Sequence, residues 1–335
     1  MSTPTREVHL VRRPQGWPVP EDFAVVETEL PDPGADQVLV RNTWMSVDPY
    51  MRGRMNDVRS YVPPFALGAA MDGGAVGEVV ASGDEAVPVG ATVVHQAGWR
   101  EHALLGARHL RVVDAEAVPP QAWLGVLGMP GLTAYVGLTR VAEVRPGDTV
   151  FVSGAAGAVG SVAGQVAREL GAGRVVGSAG SPEKCAWLTE ELGFDAAFDY
   201  HDGPVARQLR DAAPDGVDVY FDNVGGDHLE AAILRMNDFG RIAACGAIAS
   251  YNEEQPPPGP RNLMMLVSKR LRVQGFIVTD HGDLAPEYTA RAATWVADGR
   301  LRTRETVHEG LDEAVTAFLD LMRGGNLGKM LVRLG

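Results

Sequence analysis

Three glycines spaced three apart, Gly154, Gly157 and Gly160, lie between an apolar run and a helical pattern in the stretch from Thr149 to Gly160. A strand running into a glycine-rich turn that opens a helix is where a dinucleotide pyrophosphate binds. Glycine lets the backbone approach the phosphates, and the helix N-terminus offers N–H donors and the positive end of its dipole. Val159, Val162, Ala163, Val166, Ala167 and Leu170 carry the helical period beyond the turn, and Gly171 ends the helix as its C-terminal cap. The strand RVVGSAG then closes a βαβ unit. The first spacing is wider than in the usual G-x-G-x-x-G fingerprint, so the pattern by itself also fits a tight strand-to-helix junction with no ligand. The uncharged run 149–167 is not read as a membrane span, because glycines, serines and Gln165 interrupt it.

An NAD-binding βαβ unit places an acidic residue about 20 positions past the glycines, on the ribose 2′-hydroxyl. Here the second strand ends in GSAGSPEK, where Ser178, Gly180 and Ser181 are small and neutral. Ser181 reads as a helix N-cap with Pro182 at the first helical position. Lys184 then falls in the first turn, where a cation opposes the macrodipole unless an anion sits there. A 2′-phosphate is such an anion, and Tyr200 at the end of the third strand is a second candidate to hold it. The alternatives are a solvated lysine and a core-edge tyrosine. FDNVGG at 221–226, CGAIASYN at 245–252 and GFIV at 275–278 are expected at strand carboxyl ends, where ligands bind in an open parallel sheet. Asn223 is a candidate to bond ribose, pyrophosphate or nicotinamide. Tyr251 is a candidate to bring a phenol near a reacting carbon. Without further support these read equally as an Asn-Gly-type turn and a loop tyrosine.

The elements that must position these residues follow two patterns. Up to about Ala122, short β-rich runs such as QVLVRNTW, GAVGEVVASG and ATVVHQ alternate with Pro and Gly clusters, which predicts a compact β-barrel-like domain. From about Leu124 to Arg300 strands alternate with helical patterns, which predicts a parallel sheet with helices on both faces. Strands are expected at 149–154, 174–179, 196–200, 217–222, 241–246 and 272–278, a number that suits a doubly wound dinucleotide fold. A further helix, LDEAVTAFLDLMRG, and a last strand, KMLVRL, are expected to return to the first domain. The predicted division is 1–123, 124–300 and a C-terminal segment 301–335. QPPPGPRN at 255–262 reads as a stiff surface loop between domains or over a cleft.

Composition excludes several classes. The 335 residues are 45% hydrophobic and 22% charged, ordinary for a soluble globular chain of two domains. A net charge of −13 repels polyanions, so nucleic acid is an unexpected partner. Met1 to Leu10 has no apolar core, and neither a leader nor a membrane anchor is expected, which makes the cytoplasm the default location. Cys185 and Cys245 are too few for a disulfide framework or a thiolate zinc site, and both are expected to be small core residues. His95, His102 and His109 are expected at the surface rather than around a metal.

Taken together, VDPYMR at 47–52, GMPGLTAY at 128–135, AAGAVGS at 155–161, FDNVGG, CGAI-x-x-YN, GFIV and NLGK at 326–329 span nearly the whole chain. In content and order they resemble the zinc-free medium-chain dehydrogenases/reductases of the leukotriene dehydrogenase/prostaglandin reductase group. The resemblance implies an α/β fold: a Rossmann-type doubly wound parallel sheet plus an N-terminal chaperonin-10-like (GroES-like) β-barrel domain, with NADPH in the cleft; the exposed edge of the six-stranded sheet near GFIV makes a two-fold homodimer the expected assembly. It implies pyrophosphate contacts from Gly157, Ala158, Val159, Gly160 and Ser161, and 2′-phosphate contacts from Ser181, Lys184 and Tyr200. It also implies cofactor contacts from Asn223, from Cys245, Gly246, Ala247 and Ile248 in the loop to Tyr251, from Phe276, Ile277 and Val278 through backbone groups, and from Asn326, Met129 and Thr133. The implied reaction is hydride delivery from NADPH to the β-carbon of an enone or alkenal. Tyr251, Tyr50 and the cofactor ribose hydroxyl are the implied donors to the developing enolate oxygen. No metal is implied, since NTWMSVDPYMRG lacks the cysteine and histidine of zinc-dependent relatives. A quinone oxidoreductase and a non-catalytic NADPH-binding sensor or scaffold are the rival readings.

Overall fold

The computed structural model describes residues 2–115, 118–255 and 257–335. The chain divides into two compact units, one of Met1–Leu124, Glu305–Asn326 and Met330–Gly335, the other of Gly125–Arg304 and Leu327–Lys329.

The first unit is built on antiparallel strands. β1 (Ser2–Leu10) pairs β2 (Phe23–Pro31), and β3 (Gln37–Ser46) leads into a short helix α1 (Tyr50–Arg54). β4 (Ala69–Ala70), β5 (Ala75–Ser82), β6 (Thr92–His95), β7 (His102–Gly106) and β8 (Arg111–Val112) follow. β3 is the spine: it pairs β7 at its start, β5 along most of its length, and the chain's last strand at its end. Val38 and Val40 pack against Val79, Val87 and Val93, and Leu39 between them, on the opposite face, is buried as well, so this part of the strand is covered on both faces.

The second unit begins with α2 (Met129–Val136) and continues β9 (Thr149–Val152), α3 (Ala158–Glu169), β10 (Arg174–Ala179), α4 (Pro182–Glu190) and β11 (Ala196–Asp199). Then come α5 (Val205–Ala212), β12 (Val217–Asp222), α6 (Gly226–Arg235), β13 (Met236–Ala244), α7 (Met264–Ser268), β14 (Arg272–Gly275) and α8 (Ala285–Ala297). The six strands form one parallel sheet in the order β11-β10-β9-β12-β13-β14, with the reversal between β9 and β12. That is the doubly wound order with its ligand crevice at the switch point. On one face Phe151, Tyr220 and Phe198 stack beneath Leu209, Ile233 and Met236. α3 ends as the glycine predicts: Gly171 takes φ +95°, its N–H bonds Arg168 O, and Ala172 N–H bonds Ala167 O, a Schellman cap.

β15 (Glu305–Glu309), α9 (Ala314–Met322) and β16 (Lys329–Arg333) complete the chain. β16 pairs β3, and Phe318 of α9 sits edge-on against Phe23 and Trp99 in the first unit. Leu327–Lys329 belong to the second unit, where Gly328 bridges Gly157 and donates its N–H to Ala156 O at 2.8 Å. Gly328 has φ +72°, and a Cβ there would lie 1.8 Å from Arg304 O, so the crossing accepts only glycine.

Four strands stop short of their sequence limits at the carboxyl end. β9 ends at Val152, β11 at Asp199, β13 at Ala244 and β14 at Gly275, because the residues beyond turn their N–H groups to other partners. Cys245 and Gly246, for instance, both donate to Asp222 O. Of the 255–262 loop, Pro256 lies outside the described residues; Arg261 and Asn262 are tied to Glu230 of α6 within the second unit. No helix among the described residues is long and apolar enough to cross a membrane.

Candidate functional site

The glycine turn divides its labour among three residues. Gly154 has φ +58° and makes the turn. At Gly160 a Cβ would fall 2.3 Å from Gly154 O and 2.7 Å from Ala155 Cα, so its glycine lets the helix close on its own strand. At Gly157, the N-cap of α3, a Cβ would meet only Gly154 O, at 3.4 Å. Protein packing therefore requires Gly154 and Gly160 and leaves open space at Gly157. No side chain caps α3, whose first turn presents the backbone of Ala158, Val159 and Gly160, with Ser161 buried behind. This fits a dinucleotide pyrophosphate: turn, approach and close packing each have their glycine despite the wider spacing.

At the end of β10 the Ser181 hydroxyl accepts the Lys184 N–H at 3.2 Å, the N-cap expected from sequence. Lys184 is half-buried in that first turn. Tyr200 opens a 3-10 turn rather than ending β11, because Asp199 caps that turn through His201 N–H at 2.9 Å. Its ring packs on His201 and edge-on to His228, with centroids 4.2 and 5.4 Å away. Burial, and then the Asp199 carboxylate, push the Tyr200 phenol above its usual value, which keeps it a donor.

A buried polar knot lies under the switch point. Asp222 Oδ1 accepts from Tyr220 Oη at 2.6 Å, Gly225 N at 2.8 Å and Val224 N at 3.0 Å. Ser153 Oγ lies 2.9 Å from Tyr220 Oη, to which its hydroxyl can donate, and accepts the Asn223 N–H at 3.0 Å. Asn223 Nδ2 donates to Ser153 O at 2.8 Å, which fixes the amide so that its oxygen is the atom left to face a ligand donor. Sequence reasoning singled out Asn223 and missed Ser153, Tyr220 and Asp222. The signal was present: Asp218, Tyr220 and Asp222 alternate along one face of a strand whose other face is Val217, Val219 and Phe221.

Beyond β13 and β14, Cys245, Gly246, Ala247, Tyr251, Phe276, Ile277 and Asp280 line an open depression of about 540 Å³, with Ile248 opening the short turn that carries Tyr251. The Tyr251 phenol oxygen lies 3.3 Å from Ala247 N and accepts its N–H, so the loop folds the ring back over itself and orients the hydroxyl. Phe276 packs edge-on against Phe221, Ile277 O accepts Asp280 N–H at 3.1 Å, and Val278 begins the next turn. On α2, Thr133 Oγ1 donates to Met129 O at 2.7 Å, and Met129 is 39% exposed. Asn326 belongs to the first unit.

Tyr50 also lies in the first unit, on α1. Burial, reinforced by the Asp48 carboxylate, holds its phenol far above the usual value, so it stays protonated. Arg52 and Arg54 on the same turn anchor the loops around it. Arg52 donates to Gly16 O at 2.7 Å, and Arg54 holds Asp72 and Pro63 O with its guanidinium 4.1 Å over the Phe65 ring. Of the histidines expected at the surface, His95 is instead buried. Its Nδ1 accepts Ala97 N–H at 3.0 Å, and burial lowers its pKa to about 4. Cys185 and Cys245 are half-buried rather than core residues, and burial raises both thiols, to about 11 and about 12. Among the described residues no three His, Cys, Asp or Glu gather as metal ligands would.

Residues 6–113 match the family model described as N-terminal domain of oxidoreductase, and residues 158–297 match that described as Zinc-binding dehydrogenase. The NADPH-dependent curcumin reductase of Escherichia coli is 41% identical over 97% of this chain and 95% of that one. The chain belongs to the prostaglandin reductase group of medium-chain dehydrogenases/reductases. Rat prostaglandin reductase 1 is 42% identical over 95% of this chain and 96% of its own. The crystal structure of CurA from Vibrio vulnificus in complex with NADPH superposes with a TM-score of 0.94 at 38% identity, over 98% of this chain and 99% of that one. Membership of this group accounts for the fold class, a Rossmann-type sheet joined to an N-terminal chaperonin-10-like unit.

The glycines give the first test. Gly160→Ala is expected to lower stability by about 1–3 kcal/mol through overpacking, while Gly157→Ala leaves the denaturation midpoint near the parent's and weakens dinucleotide binding. Equal midpoints for the two variants would refute this division.

Proposed function

We propose that this chain is a cytoplasmic, NADPH-dependent reductase of the carbon–carbon double bond of α,β-unsaturated ketones and aldehydes. The observation that carries the reading is the end of β10, where Ala179, Gly180 and Ser181 stand in place of an acid, Lys184 lies in the next turn and the Tyr200 phenol overhangs Gly180. In this reading Ser181, Lys184 and Tyr200 hold the 2′-phosphate, and Gly157 to Ser161 hold the pyrophosphate. Asn223, the loop from Cys245 to Ile248, Phe276 to Val278, Met129, Thr133 and Asn326 hold the remainder. The two free cysteines favour a reducing compartment.

When bound, NADPH supplies hydride to the β-carbon of the enone. Negative charge then grows on the carbonyl oxygen, and hydrogen-bond donors fixed beforehand toward it lower the barrier. We assign that task to Tyr251, whose phenol oxygen accepts the Ala247 N–H and is oriented by it within the loop. Tyr50, kept protonated by burial, is its proposed partner in the same role. No metal takes part in this scheme. Arg52 and Arg54 supply the organisation of the segment in which zinc-dependent relatives carry ligands.

The homodimer is proposed through the free edge of the parallel sheet. β14 is its last strand, Val273 on it is 44% exposed, and Met264 and Val267 of α7 are 75% and 66% exposed beside it.

Three measurements test this reading. NADPH should bind more tightly than NADH, and Lys184→Ala should weaken NADPH by about ten- to hundredfold while sparing NADH, the value of a charge-assisted contact; equal affinities in the parent would sink the assignment. Turnover of enones, assayed after dialysis against a chelator, should persist in the parent and fall about 10²–10³-fold in Tyr251→Phe with cofactor affinity unchanged. Adding Tyr50→Phe should give a non-additive loss if both phenols serve one oxygen; parental rates in Tyr251→Phe would return it to a packing role. Sedimentation should show a dimer that Val273→Arg dissociates, and a monomeric parent would discard the interface.

A further inference from the structure

Gly180 has no backbone need to be glycine, since it is absent from the residues with positive φ. What requires it is a side chain. A Cβ at Gly180 would lie 2.8 Å from Tyr200 Oη, 3.1 Å from Tyr200 Cζ and 3.3 Å from His201 Cε1. The phenol thus occupies the place where any other residue would carry its first side-chain atom, directly before the N-cap of α4. The ring is fixed there from the other side. Asp199 holds His201 through both its N–H and its Nδ1, at 2.9 and 3.0 Å, and Gln208 Nε2 donates to Asp199 O at 2.9 Å. His228, buried on α6, packs edge-on to the ring. Yet Tyr200 is 38% exposed, so outward rotation is open to it and the backbone at Gly180 need not move.

We propose that Gly180 is a specificity-determining residue for the cofactor: its missing Cβ admits the Tyr200 hydroxyl to the position from which it donates to a ribose 2′-phosphate. The absent side chain at this position then has two effects. It removes the acid that would repel a phosphate, and it makes room for the donor that binds one. Any larger residue at 180, even an uncharged one, displaces the phenol and erodes the preference for NADPH over NADH. The inference rests on the NADPH reading given above, and the probes separate the two.

The test is calorimetric binding of adenosine 2′,5′-bisphosphate and of 5′-AMP, which differ only in the 2′-phosphate, to the parent, Gly180→Ala, Tyr200→Phe and the double variant. Gly180→Ala should weaken the bisphosphate about tenfold and leave 5′-AMP within about twofold, with Tyr200→Phe doing the same. Because one change acts through the other, the double variant should bind no more weakly than either single variant. Additive losses, or an equal loss for both nucleotides, would overturn the inference. A Gly180→Ala that keeps the parent's discrimination overturns it while leaving the NADPH reading intact; a parent that binds both nucleotides alike overturns both. Should Gly180→Ala not fold, Gly180→Ala with Tyr200→Ala, which removes the ring that the new Cβ meets, is expected to fold, and its failure would show that the constraint lies elsewhere.

Discussion

Asp222 ties the carboxyl ends of β12 and β13 together, and the candidate contacts at Asn223 and in the loop from Cys245 to Ile248 depend on it. Its carboxylate gathers Tyr220, Val224 and Gly225, and its backbone oxygen takes the N–H groups of Cys245 and Gly246, so the ends of β12 and β13 are fixed to one residue. Burial pushes its carboxyl above the usual carboxylate range, against the pull of these hydrogen bonds. A buried acceptor with several donors is costly to break, since each partner left unpaired carries its own desolvation penalty. Asn223 and the loop bearing Tyr251 inherit their positions from this arrangement.

The parts legible in sequence were those set by local stereochemistry. The strand–turn–helix around Gly157, the N-cap at Ser181 and the cap at Gly171 each depend on a few adjacent residues, and the structure has them where spacing and side-chain type place them. What escaped depended on contacts distant in sequence. Gly180 looked like a missing acid, but its environment includes a ring supplied by the turn that follows the next strand. Tyr220 and Asp222 lie on a strand that sequence placed at 217–222, and only the neighbouring β9 brings them into a network with Ser153. His95 looked like a surface residue because its burial and its bond to Ala97 N–H come from folding of the first unit. The roles of Tyr50 and Tyr251 rest on family resemblance rather than on any pattern in this chain.

The first unit solves a problem of anchorage with arginine. Its segment VDPYMRGR at 47–54 follows the spine strand β3 and carries two guanidinium groups that reach other loops, Arg52 to Gly16 and Arg54 to Pro63 and Asp72. A planar guanidinium has five donors in fixed directions, so a single side chain can join several carbonyls and a carboxylate while stacking on an aromatic ring. Tyr50 opens this helix of five residues, too short to stand by helical propensity, and the two arginines that follow it hold the helix to its surroundings.

The bridge between Gly328 and Gly157 has a consequence for the order in which the chain acquires its structure. During synthesis the segment 125–304 contains all six strands of its sheet, but Ala156 O gains the Gly328 N–H only when Leu327–Lys329 follow. The first unit likewise waits for β16 to cover the end of β3. Domains usually fold as they leave the ribosome, N-terminal first, and contacts between distant residues form late. Both units of this protein are therefore completed by one stretch, 327–333, so the closing of the glycine turn and the pairing of the spine strand β3 draw on the same few residues.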